Sequence, residues 1–161
     1  MAIKMKIGIG YDIHPLVAGR PLILGGVPIP HGKGLQGYSD ADVLIHAVCN
    51  ALLGALGKGD LGARYPNSDP RYRNYSSTKF LEEVSGLVRK DGFHIANIDS
   101  VIVAQEPRLS PFMEKMREHL SKVLGLDPNQ IGIKAATPEG VGSLGAGQGI
   151  AAQAVCLIER A

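Results

Sequence analysis

The sequence has no tryptophan, three phenylalanines and five tyrosines, so its core must be largely aliphatic. It has two cysteines, Cys49 and Cys156, far apart and each among apolar neighbours. They form no CxxC pair, which excludes a paired-thiol redox motif and a cysteine-rich zinc site. Buried reduced thiols are expected instead. No run of Lys or Arg occurs, and 17 basic residues against 15 acidic ones give a net charge of +2. That excludes the basic stripe of a nucleic-acid binder and leaves anion binding to particular side chains and backbone amides. No stretch approaches the roughly 20 apolar residues that span a bilayer. The opening MAIKMKIGIGYDIH has neither the apolar core nor the cleavage site of a secretory signal. The expectation is a cytoplasmic protein that binds neither nucleic acid nor membrane.

What is present fits one domain, residues 1–161. Ile3 to Tyr11 alternates and is rich in β-branched residues, which predicts a strand, and Pro15 is expected to end it. The stretch RPLILGGVPIPHG (20–32) predicts two short strands about a Gly-Gly turn, with prolines that favour an edge position. Ser39 is a candidate N-cap, with Asp42 completing an acidic capping box rather than serving as a ligand. The helix that follows is apolar around most of its circumference, so it should be buried on several sides, and Gly57 and Gly59 end it. Residues 60–75 read as a long polar loop, a type that is often functional. A helix over 77–90, a strand within 93–106, a helix from Ser110-Pro111 to Gly125, a strand over 131–135 and a last strand over 150–159 complete the chain. Residues 136–149 form a Gly-rich loop. Its GxGxG feeds a strand rather than opening a helix, so it is not a dinucleotide fingerprint. Hairpin-like strands mixed with helix-connected strands predict an α+β fold, a mixed sheet covered by helices on one face.

Asp12 and His14 stand two apart at a strand end, where period-two geometry points both to one face. His46, on the apolar helix, can supply a third ligand. Three protein ligands with one open position is the layout of a catalytic zinc, which acts as a Lewis acid on a substrate oxygen. Spacing alone leaves a plain hydrogen-bonded cluster as the alternative, since a buried imidazole needs a partner in either case. His31, His94 and His119 have no such company and read as surface or structural residues.

The stretch SDADVLIHA, Ser39 to Ala47, resembles the signature of the 2-C-methyl-D-erythritol 2,4-cyclodiphosphate synthase family. Gly10-Tyr11-Asp12-Ile13-His14 is similar to that family's first strand. Collinear matches follow at Gly59-Asp60-Leu61-Gly62, Tyr65-Pro66 with Asp69-Pro70, Ala104-Gln105 with Pro107-Arg108, and Lys134-Ala135 with Thr137 and Glu139. The resemblance implies a homotrimer with active sites between adjacent subunits. It implies one zinc per subunit on Asp12, His14 and His46, and a second cation, Mg2+ or Mn2+, near Glu139 with the substrate diphosphate. The implied substrate is a cytidine diphosphate ester of methylerythritol 2-phosphate. Its 2-phosphate attacks the β-phosphorus, a cyclic diphosphate closes and CMP leaves. Tyr38 and Thr137 take the catalytic positions, and Asp12, His14, Tyr38 and Ser39 also face the substrate. Asp60, Leu61, Gly62, Tyr65 and Asp69 would contact the methylerythritol. Ala104, Gln105, Pro107 and Arg108, with Lys134, Ala136, Thr137 and Glu139, would hold the cytidine diphosphate. Ser39 has a competing role as a simple helix cap, and Pro107 and Arg108 as an ordinary loop.

The chain departs from the pattern at four positions. Tyr38 stands where many members have histidine, and a phenol can donate a hydrogen bond but carries no positive charge. Ala136 replaces a frequent threonine. Ser143 and Ala146 replace an aromatic residue and an arginine near a central cavity of the trimer, so no isoprenoid diphosphate is expected there. A metal-dependent nucleotide-diphosphate phosphoesterase and a non-catalytic trimeric binding homologue are the alternatives.

Overall fold

The structure, a computed structural model, describes residues 4–161. Its frame is a five-stranded sheet in the order β4-β1-β7-β5-β6, where β1 is Met5–Ala18, β4 Lys33–Leu35, β5 Phe93–Val103, β6 Ile131–Ala136 and β7 Gly149–Arg160. Only β5 and β6 pair in parallel; the other neighbours are antiparallel. Helices α1 (Val43–Leu56), α3 (Ser77–Lys90) and α4 (Met113–Leu124) pack over one face. This is the mixed sheet covered on one side that the sequence pattern predicts. Strands β2 (Leu22–Leu24) and β3 (Val27–Ile29) form a separate hairpin around the Gly25-Gly26 turn, where both residues have positive φ.

The inner face of β1 carries Gly8, Gly10, Asp12 and His14, and its outer face carries Met5, Ile7, Ile9, Tyr11 and Ile13. The two glycines let α1 lie directly on the strand. A Cβ at Gly8 would sit 1.8 Å from the Ala51 carbonyl oxygen, and one at Gly10 1.9 Å from that of Ala47. Every residue of α1 except Asn50 and Gly54 is buried, as its nearly uniform apolarity requires. Cys49 and Cys156 are both buried thiols, and burial pushes Cys156 up to about 11. Among the described residues, no helix is long and apolar enough to cross a membrane.

Several local expectations are corrected. Pro15 does not end β1, which continues to Ala18. The Pro15 carbonyl accepts from Gln36 N–H at 2.8 Å, so the missing proline N–H falls on that same side, away from β7, and the β7 ladder loses nothing. Ser39 is not the cap of α1. Asp42 is: its carboxylate accepts from the Ile45 N–H at 3.1 Å and from Gly25 and Gly26 of the hairpin turn at 2.9 and 2.7 Å. The 60–75 segment is not all loop, since it holds α2 (Leu61–Arg64) and a 3-10 turn at Pro70–Tyr72. Ser110 caps no helix; a 3-10 turn, Ser110–Phe112, leads into α4 without a side-chain cap. The Gly-rich loop contains one helical turn, α5 (Gly142–Gly145).

Candidate active site

Asp12 and His14 project from β1 toward α1, one helical face of which presents His46. Their ligating atoms converge, all within 4.8 Å of one another. Asp12 Oδ2 lies 2.8 Å from His14 Nε2 and 2.9 Å from His46 Nδ1, and the two nitrogens are 3.2 Å apart. A tetrahedral ion with bonds of about 2.0–2.1 Å needs ligand atoms roughly 3.3 Å apart, so small outward shifts suffice. One carboxylate and two imidazoles form a donor set that suits zinc and leaves a fourth position open.

Electrostatics agree with that grouping. Burial opposes ionisation of Asp12, but hydrogen bonds and charge from His14 and His46 outweigh it and hold the carboxyl well below its ordinary range. Burial likewise opposes a charged His14, yet the hydrogen bond and charge of Asp12, with Gln36 behind, raise it above the ordinary histidine value. Behind the ligands, His14 Nδ1 donates to the Gln36 carbonyl at 2.8 Å, so Nε2, which faces Asp12, is the nitrogen whose proton a metal would displace.

The triad sits in the wall of a cavity of about 350 Å³. Gly37, Tyr38 and Ser39 form one side, and Asn50, Leu61, Gly62, Tyr65, Asn67, Tyr72 and Phe80 the other. The aromatic wall is closely packed: Tyr65 and Phe80 centroids are 4.5 Å apart in a tilted pair, and Tyr65 meets Tyr72 edge to face at 5.3 Å. Glu83 pins it by accepting from the hydroxyls of Tyr65 and Tyr75 at 2.9 and 3.1 Å. Such a cavity has a charged end for an anionic or metal-bound group and an apolar end with few polar contacts for a small carbon skeleton.

The structure divides the sequence-derived residues into groups. Asp12, His14, Tyr38, Ser39, His46, Leu61, Gly62 and Tyr65 meet at the cavity. Asp60 is the cap of α2, accepting from Ala63 N–H at 2.7 Å, and Asp69 is bound to exposed Arg71; neither lines the cavity. A second cluster lies apart. There Ala104 N–H donates to the Ala136 carbonyl at 3.1 Å, Gly140 N–H donates to Gln105 Oε1 at 3.1 Å, and the Thr137 hydroxyl donates to Glu139. Lys134 turns instead to Asp99, 2.5 Å away, and Arg108 to Ser110, 2.9 Å away. Pro107 lines no cavity with the triad. Sequence reasoning missed Gly37, Asn50, Asn67, Tyr72 and Phe80. Only Asn50 carried a signal, since it lies four residues after His46 on one helical face.

The YgbB family model matches residues 5–159. The chain belongs to the YgbB family. It is 51% identical to the 2-C-methyl-D-erythritol 2,4-cyclodiphosphate synthase of Syntrophomonas wolfei, over 98% of this chain and 100% of that protein. It superposes on the bifunctional IspDF of Campylobacter jejuni with a TM-score of 0.95 at 36% identity, spanning 99% of this chain but only 43% of that longer protein. A CDP complex of IspF from Plasmodium falciparum superposes with a TM-score of 0.88 at 31% identity, over 99% of each chain. This YgbB chain thus has 2-C-methyl-D-erythritol 2,4-cyclodiphosphate synthase activity, a CMP-releasing lyase reaction of the non-mevalonate isoprenoid pathway. The hydrolytic and non-catalytic alternatives give way to it.

Proposed function

We propose that the chain performs this cyclisation at a zinc centre held by Asp12, His14 and His46, in an active site completed by a neighbouring copy in a homotrimer. The convergence of the three ligands on the cavity wall carries the first half of this reading. When bound, zinc there would offset phosphate charge as a Lewis acid. The reaction brings one phosphate against another, so charge repulsion is the main obstacle and no protein nucleophile is needed.

The chain's own residues position the reactants. The aromatic wall and the segment from Leu61 to Asn67, whose helical turn Asp60 caps and whose following turn Asp69 caps, hold the methylerythritol end and exclude water from it. Ser39, nearly buried at the cavity edge, donates to a phosphate oxygen, as does the Tyr38 phenol. The bond that forms joins the 2-phosphate oxygen to the β-phosphorus, and the bond that breaks releases CMP. Holding these groups in line supplies much of the rate. Thr137, with backbone amides near it, donates to the phosphate oxygens as charge develops, and Glu139 would hold a second divalent cation, Mg2+ or Mn2+. A cytidine nucleotide fits Ala104, Gln105, Pro107 and Arg108 with Lys134 and Ala136, in keeping with the CDP-bound relative.

Two observations support the shared site. The 104–108 and 134–140 cluster does not line the metal cavity of its own chain. The outer face of β1 exposes Met5, Ile7, Ile9, Tyr11 and Ile13, the last 46% and Ile7 72% accessible, with Val155 beside them on β7. An apolar sheet face of that kind is unusual on a monomer, and a second copy of the chain suits it. The whole chain then acts as one catalytic domain in the cytoplasm.

Mixing two inactive variants tests this. His46→Ala lacks a ligand, and Glu139→Gln lacks the second cluster's carboxylate. Trimers of both contain some sites built from two intact halves. Phosphorus NMR with 4-diphosphocytidyl-2-C-methyl-D-erythritol 2-phosphate, zinc and magnesium should show the cyclic diphosphate and CMP returning after subunit exchange. Proven exchange with no recovered activity would refute the shared site.

A further inference from the structure

Behind His46 lies a chain of hydrogen bonds that the cyclisation does not use. His46 Nε2 is 2.8 Å from the Ser77 hydroxyl oxygen, and Ser77 is wholly buried. That hydroxyl donates to Asp40 Oδ1 in a very short bond. Asp40 also accepts from the Ser77 N–H at 2.9 Å, through its other oxygen, and from the Asp42 N–H at 3.2 Å. A carboxylate only accepts, so the Ser77 proton is committed to Asp40 and the Ser77 oxygen can only accept from His46. The imidazole must then carry a proton on Nε2, so Nδ1, which meets Asp12 at 2.9 Å, is the nitrogen that gives up its proton to a bound metal. Ser39 Oγ is a poorer partner, 3.3 Å from Nε2 and already accepting from the Ala41 N–H.

We infer that Asp40 and Ser77 are positioning residues of the metal centre, holding His46 in the tautomer and ring orientation that leaves Nδ1 free to bind the metal. The inference rests on the zinc reading above and deepens it. Ordinary structural bonding does not account for the arrangement. Ser77 is the first residue of α3, and Asp40 reaches it from a loop 37 residues earlier in sequence. To cap α3, Asp40 needs only the backbone contact, yet it spends its second oxygen on the hydroxyl that faces the ligand. His14 is oriented differently, by a backbone carbonyl. The two histidines thus present opposite nitrogens to the same point, Nε2 from one and Nδ1 from the other. Partners of this kind typically contribute 10- to 100-fold in metal affinity, because they fix the ring and raise its basicity.

Chelator competition on the full-length protein measures the zinc dissociation constant directly. Ser77→Ala should raise it by about 10- to 100-fold, while Ser39→Ala should change it by less than about threefold. Loss of affinity could also come from a disturbed fold, so the decisive readout is spectroscopic. In zinc-loaded protein labelled with ¹⁵N at histidine, His46 should show an exchange-protected proton on Nε2 and none on Nδ1. That proton should exchange freely in Ser77→Ala. A wild-type spectrum with the His46 proton on Nδ1 would overturn the inference even if Ser77→Ala does not fold. So would wild-type zinc affinity in Ser77→Ala. Failure of the wild-type chain to bind zinc at all would instead refute the metal reading on which the inference stands.

Discussion

Replacing Gly10 with alanine should open the metal centre without touching a ligand. The new Cβ would lie 1.9 Å from the Ala47 carbonyl oxygen and 2.5 Å from the Ala51 nitrogen. Both are helix backbone, so no side chain can rotate away, and β1 and α1 must part by about 1.5 Å to reach ordinary contact. Asp12 is two residues along the strand from Gly10, and His46 precedes Ala47 on the helix. Their 2.9 Å separation would therefore grow to roughly 4 Å, beyond the few tenths of an ångström that a zinc site tolerates. Overpacking of this kind costs about 1–3 kcal/mol or more. The zinc dissociation constant should rise at least tenfold, by chelator competition, and the unfolding temperature should drop. Gly86→Ala is the matched control: it lies in α3 with nothing within 4 Å of the added Cβ and should stabilise by about 0.5–1 kcal/mol. Wild-type zinc affinity and stability in Gly10→Ala would refute the claim that the strand–helix distance sets the site.

Three further outcomes are expected. Asp42→Ala strips three backbone N–H donors of their acceptor and should destabilise the protein by about 3–5 kcal/mol, read as a fall in unfolding temperature of roughly 10 °C. Zinc affinity should weaken as pH falls through the raised His14 value, because proton and metal compete for its Nε2. In zinc-free protein the same group has the opposite sense: a raised folded pKa contributes stability that is full below about pH 6.5 and lost as pH rises through the folded value. Calorimetric melts and zinc titrations across that range should therefore slope in opposite directions. Ile9→Lys places a charge in the middle of the exposed apolar face of β1. It should shift the oligomer toward monomer in sedimentation while the isolated chain keeps its circular dichroism; an unchanged assembly would remove that face from the interface.

The elements with strong periodicity were legible in the sequence. Helix α3 spans Ser77–Lys90 as predicted, and β6 and β7 fall within a residue of expectation. The start of α1 was not, because Ser39 and Asp42 are both good caps by type. What decides for Asp42 is the Gly25-Gly26 turn, brought to it from 16 and 17 residues away. The run of β1 past Pro15 was hidden for a similar reason: only the neighbouring chain shows that the missing donor faces the tolerant side. In the site, Asp12, His14 and His46 could be read from strand and helix periodicity plus a family pattern. Tyr72 and Phe80, which reach the cavity from a turn and a separate helix, and Ser77, which lies behind His46, could not, since they have no fixed spacing to the ligands.

The pairing of β1 with β7 gives protein synthesis a timing. Asp12 lies opposite Ala152 and His14 opposite Ile150, and the ladder runs from Met5–Glu159 to Pro15–Gly149. All three ligands have left the ribosome long before the strand that anchors two of them exists. At about 5–20 residues per second, the interval from residue 46 to residue 150 is roughly 5–20 s. A nascent chain therefore carries two histidines and an aspartate on an unsupported strand and an undocked helix, too mobile to retain an ion. On the zinc reading proposed above, metal capture becomes a late event tied to closure of the sheet, and a prematurely terminated chain that lacks β7 should bind no zinc.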